Sequence, residues 1–213
     1  MLLGARQFFE RRGAPTPPLP YDAEVESLES TGTQYMLTGI SPVVGDILTI
    51  ETDVQYSSGI SSDTWLTGFW NNSSSSCLIG TYQNQIYFTY NRDSNNAKTS
   101  QGLYDRHRIR FNVPGGIYID DTLLSSTVAN DTALTATFSS GGGMPVFCRR
   151  FGGDYGGFIK AKCWSFKIWV NHVLVRDYVP VRAGTVGYMY DRVSGTLFGN
   201  AGTGVFVIGP DKS

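Results

Sequence analysis

Trp65, Trp70, Tyr82, Tyr90 and Tyr155 each lie within two residues of an amide or a carboxylate; Asn71 follows Trp70 directly and Asp154 precedes Tyr155. Flat rings stack on the apolar C–H faces of sugars while Asn and Asp fix the hydroxyls, so this set is a candidate carbohydrate-binding site. Tyr155 leads it, because the glycines of FGGDYGGF (residues 151–158) leave its ring room to stand clear of the chain. Each ring also has a plainer explanation, since Trp and Tyr on strands most often pack against a core or a sheet surface.

Hydrolytic chemistry is poorly provided for. A retaining glycosidase needs two carboxyls ~5–5.5 Å apart. Glu51-Thr52-Asp53 is the nearest approach, and no glutamate follows Glu51. Glu24, Glu26 and Glu29 suit a solvated face, and Asp120-Asp121 suits a hairpin turn. His107 and His172, the two histidines, have no Ser or Cys in a nucleophile setting. No catalytic residue is assigned, and a glycoside hydrolase working through Glu51 or Asp53 is a remote alternative. FGGDYGGF lacks the strand–loop–helix setting of a phosphate cradle. No Cys-x-x-Cys spacing suggests zinc. No cofactor is implied, with calcium left open because Asp63, Asn71, Asn72, Asp93 and Asp154 could offer oxygens from loops.

The elements that must position these residues are strands. Of 213 residues, 41% are hydrophobic, 25 are glycine and 9 are proline, which suits short strands between many turns around a sizeable core. Leu48, Ile50 and Val54 form the inward face of one alternating run, and His107, Ile109, Phe111 and Val113 share a parity in another. Trp164, Phe166, Ile168 and Val170 share one face of a third, which turns at Asn171-His172 into a partner that Pro180 ends. Ala129 to Phe138 is expected to continue a sheet, and Asn91 to Gly102 to be a polar loop. About a dozen strands in two sheets is the expectation. Cys77, Cys148 and Cys163 are read as buried thiols, with a Cys148–Cys163 pair as the alternative. Net charge is −1, which argues against a nucleic-acid grip.

Residues 1–20 have a different character. Leu2, Leu3, Phe8 and Phe9 alternate with Arg6, Arg11 and Arg12 ahead of a proline-rich spacer, as in an arm that docks on a partner. The start has no apolar core of the ~7–15 residues found in signal peptides, and no run reaches the ~20 apolar residues of a membrane-spanning helix. Synthesis in a bacterial cytoplasm without membrane insertion is expected. The division is an arm, 1–20, and a β domain, 21–213.

Two patches resemble a known family. Leu28-Glu29-Ser30-Thr31-Gly32-Thr33-Gln34-Tyr35 with Thr38-Gly39-Ile40 is one; Ser165 to Trp169, Leu174 to Pro180, Tyr190 to Phe198, and Asn200-Ala201-Gly202-Thr203-Gly204-Val205-Phe206 make the other. Together they resemble the concanavalin A-like, laminin-G-like jelly-roll modules of phage and prophage structural proteins, departing at Met36-Leu37. The resemblance implies an all-β jelly-roll sandwich of two antiparallel sheets with an extended N-terminal arm. It also implies a non-enzymatic bacteriophage virion protein, a capsid decoration, head fibre or tail appendage, held to other virion proteins through residues 1–20 and trimeric by analogy. The alternative is a carbohydrate-binding receptor or adhesin module for host-surface or mucosal glycans. A fold does not fix a task.

Overall fold

The computed structural model describes residues 18–57, 63–138 and 141–213. Leu2, Leu3, Arg6, Phe8, Phe9, Arg11 and Arg12, the arm's docking candidates, lie outside the described residues. The strands begin with β1 (Ala23–Glu24), β2 (Leu28–Thr31), β3 (Met36–Leu37), β4 (Leu48–Tyr56), β5 (Thr64–Asn72), β6 (Ser75–Tyr82) and β7 (Gln85–Tyr90). They continue with β8 (Arg92–Thr99), β9 (Arg106–Val113), β10 (Gly116–Ile119), β11 (Thr122–Ser125), β12 (Pro145–Val146), β13 (Arg149–Phe151) and β14 (Asp154–Gly156). Last come β15 (Lys160–Val170), β16 (Val173–Ala183), β17 (Val186–Asp191), β18 (Thr196–Phe198) and β19 (Val207–Ile208).

The strands make a sandwich of two sheets. One follows the order β11-β10-β9-β4-β15-β16-β17-β18, with β1, β2 and β19 attached; the other follows β14-β13-β5-β6-β7-β8, with β3 and β12 attached. Pairing is antiparallel except between β13 and β5, which run parallel. Alternate residues of each inner face fill the core, Leu48, Ile50, Val54, Phe166 and Ile168 from the first sheet and Leu66, Phe69, Ile79, Ile86 and Phe88 from the second. Asn171 and His172, at φ 51° and 64°, form the two-residue turn that joins β15 to β16. Asp120 and Asp121 do the same between β10 and β11.

Four expectations need correcting. Trp164 does not share the inward face of Phe166, because β15 shifts register against β4 between Cys163 and Ser165. Ala161 and Cys163 point inward before that bulge and Phe166 and Ile168 after it, and Trp164 turns outward beneath the guanidinium of Arg106, 4.2 Å away. Pro180 does not end its strand. It pairs with Met189, and its carbonyl accepts from the Val25 amide at 3.0 Å, so only its missing N–H is lost to the ladder. Residues 92–99 form an edge strand rather than a loop. Residues 129–138 are irregular; Leu134 and Phe138 are buried there through bonds to the 42–46 loop. The three cysteines are free and buried, and burial pushes the Cys163 thiol up to about 12.

Candidate functional site

The second sheet carries an aromatic cleft on the face turned away from the core. Strict alternation would put Trp65 and Trp70, five residues apart, on opposite faces. A register shift between Trp65 and Thr67 adds a residue, so both rings face outward while Leu66 and Phe69 both enter the core. Next door on β6, Leu78, Gly80 and Tyr82 follow by twos, and Gly80 sits opposite both Trp65 and Tyr87. Gly80 is needed for that closeness, because a Cβ there would lie 2.3 Å from the Thr64 carbonyl oxygen and 3.0 Å from the Trp65 ring.

The cleft encloses about 230 Å³ between Trp65, Trp70, Tyr82, Tyr87, Asp93 and Arg149, with Asp63 at its rim. Trp65 is its floor, almost fully buried, with its ring 6.1 Å edge-on to Tyr87; Tyr82 lies 5.1 Å from Tyr87 on the far wall. Trp70 stacks on Phe151 at 4.7 Å, and its indole Nε1 donates to Asp93 Oδ2 at 2.9 Å. The Arg149 guanidinium lies among three rings, 5.3 Å from Trp65 and 5.6 Å from both Trp70 and Phe151. It donates no hydrogen bond to a described residue. Burial pulls Arg149 below the usual arginine value, against the attraction of Asp63 and Asp93. Burial, then Asp93 and Tyr82, raise Tyr87, which stays a neutral phenol. Three of the nine buried polar atoms without a partner among the described residues belong to the cleft's own side chains: Asp93 Oδ1, Arg149 Nε and Trp65 Nε1. Such atoms carry a penalty of ~1–3 kcal/mol each when nothing satisfies them.

No protein-family model and no curated protein matches the chain. One solved structure does. It is the crystal structure of a "putative carbohydrate binding protein" from Bacteroides ovatus ATCC 8483, with a TM-score of 0.54 and 12% identity. The match covers 89% of this chain and 61% of that one, so this chain spans about three-fifths of its neighbour's length. At that identity the likeness establishes the fold alone. The association with phage structural proteins rests on the two sequence patches alone.

The residues singled out in the sequence divide. Trp65, Trp70 and Tyr82 meet in the cleft. Tyr90 does not belong to the surface: it is fully buried, its hydroxyl donates to the Thr132 carbonyl at 2.7 Å, and Asn112 Nδ2 donates to it at 2.9 Å. Tyr155 and Asp154 lie on β14 and neither lines the cleft, although Asp154 pairs in register with Phe151 beside it. The Tyr155 ring stacks on Tyr35 at 5.0 Å, and its hydroxyl accepts from Arg150 at 3.1 Å. Asn71 turns to Ser75 and the Thr137 carbonyl. No group of three or more His, Cys, Asp or Glu is placed to hold a metal among the described residues. Glu51 and Asp53 stand on the other sheet, paired with Arg108 and Arg106.

Sequence reading missed Tyr87 and Arg149 altogether and weighed Asp93 only for calcium. Tyr87 follows a Gln83-Asn84 turn, both residues at positive φ, and a hairpin in that register sets it across from Gly80. That signal was available. Arg149 reaches the cleft through a parallel pairing of β13 with β5, which no local pattern announces.

Proposed function

We propose that the protein is a non-catalytic carbohydrate-binding module whose ligand enters the cleft between Trp70, Tyr82 and Tyr87. The observation that carries this reading is the pairing of stacked rings with polar atoms that lack partners in one recess. Sugars offer an apolar face to the first and hydroxyls to the second. A volume of about 230 Å³ falls just below the ~300–1,000 Å³ of small-molecule pockets, which suits a short length of glycan. The neighbour that shares the fold, described as a "putative carbohydrate binding protein", supports the reading. Catalysis is not part of it: Glu51 and Asp53 are held in ion pairs on the opposite sheet, and Asp93 is tied to the Trp70 indole. Attachment to a virion through residues 1–20 is a separate expectation, and the cleft does not depend on it.

The test is a glycan array followed by calorimetry on the best ligand. Trp70→Ala should weaken binding by about 5- to 30-fold, the equivalent of ~1–2 kcal/mol of lost stacking. Tyr155→Ala, which removes the ring favoured by sequence, should bind as the parent does. Failure of the parent to bind any glycan, full affinity in Trp70→Ala, or release of new reducing ends would each count against the reading.

A further inference from the structure

The charges around the cleft limit what kind of glycan it takes. Asp63 and Asp93 place two carboxylates against the single guanidinium of Arg149, all within one small recess. An anionic ligand could pair with Arg149 only by coming close to Asp93, whose Oδ1 has no donor to shield it. A cationic ligand would meet Arg149 already occupying the space between the rings of Trp65, Trp70 and Phe151. What the recess lacks is a partner that can both donate and accept. Asp93 Oδ1 needs a donor. Arg149 has donors to give, since it bonds no described residue and its Nε is unpaired. A hydroxyl does both, so the hydroxyls of a sugar could serve Asp93 and Arg149 as they line the same recess.

We infer that the cleft selects an uncharged glycan through hydroxyls that reach Asp93 and Arg149, and turns away uronate, sialylated and sulfated glycans. This rests on the carbohydrate-binding reading and adds the ligand's class to it. Arg149 and Asp93 become the specificity-determining pair, and the rings supply the stacking.

The experiment uses the full chain on an array that holds neutral, uronate-containing, sialylated and sulfated glycans, then calorimetry on the strongest ligand. Neutral glycans should dominate the hits, and their affinity should change less than about twofold between 50 and 500 mM NaCl, because screening acts on charged partners. Arg149→Lys, which keeps the charge but loses the planar donor fork, should bind the neutral ligand at least tenfold more weakly. Asp93→Asn should lose several-fold and, having shed a carboxylate, should bind acidic glycans better than the parent. Hits confined to acidic glycans, or a tenfold loss of affinity with salt, would overturn the inference and leave carbohydrate binding standing. Full neutral-glycan affinity in both variants, beside a loss in Trp70→Ala, would do the same. No hit of any kind would remove the reading beneath it. Circular dichroism and thermal melting of each variant separate lost contacts from lost folding.

Discussion

His107 is buried with an acceptor on either side of its ring: Asp120 Oδ2 lies 2.6 Å from Nδ1, and the Gly102 carbonyl oxygen lies 2.7 Å from Nε2. Two acceptors thus hold the imidazole in place, one at each ring nitrogen. Burial pulls Asp120 upward, but the His107 bond and the Arg108 amide outweigh it and hold the carboxyl below its ordinary value. A carboxyl lowered on folding contributes its stability above the unfolded value of ~3.9 and loses it as pH falls through the folded value. Asp120→Asn keeps a residue that tolerates the positive φ of this turn. Urea unfolding should find the variant less stable than the parent at pH 7, with the difference closing as pH falls below the unfolded value of ~3.9. A constant difference across that range would mean the charge is not what matters.

At the scale of the strand, the informative features are the places where alternation breaks. The inward faces of β4 and β9 read correctly from the sequence because Leu48, Ile50 and Val54, and Ile109 and Phe111, keep strict parity where they enter the core. β15 did not read correctly, since it carries a bulge, as β5 does too, and one extra residue swaps every side chain beyond it to the other face. Trp164 was assigned to the core for this reason, and nothing in the alternation showed that Trp65 and Trp70 share a surface. Bulges depend on the partner strand, so the sequence of one strand seldom displays them. The β5–β6 contact gives a direct check. Gly80→Ala would drive a methyl against the Thr64 carbonyl and the Trp65 ring, an overpacking cost of ~1–3 kcal/mol. Denaturant melts should show that loss, and calorimetry on the folded fraction should show weaker glycan binding, because Trp65 is the cleft floor. Unchanged binding would separate β5 spacing from the site.

Across the whole molecule, the two motif patches that announced the fold meet in space, and they do structural work rather than ligand work. Asn200 Oδ1 accepts from the Tyr35 and Gly202 amides at 3.1 and 2.8 Å, the Ala201 amide donates to the Tyr35 carbonyl at 2.7 Å, and Gly202 packs so near the Thr33 carbonyl that a Cβ would lie 2.1 Å from its oxygen. Asp191 is fully buried and accepts from the Asp177, Val193 and Ser194 amides to cap the turn after β17. These residues were legible because such caps need particular side chains at fixed spacing, whereas the cleft is assembled from five strands, β5, β6, β7, β8 and β13, and has no local signature. Phe206 completes the interlock: it is 4% exposed and packs on Phe147, with ring centres 5.5 Å apart, joining the second sheet to the segment that returns to β2. Phe206→Ala should therefore cost ~3–5 kcal/mol, which lowers the melting temperature of a chain this size by roughly 6–20 °C. Below the melting temperature, glycan affinity should stay within about twofold of the parent, because the cleft faces away from Phe206 and sites without shared partners act independently. A small thermal effect would show that the closing segment contributes little to holding the sheets together, and a large change in affinity would show that the two faces of the second sheet are coupled through its core.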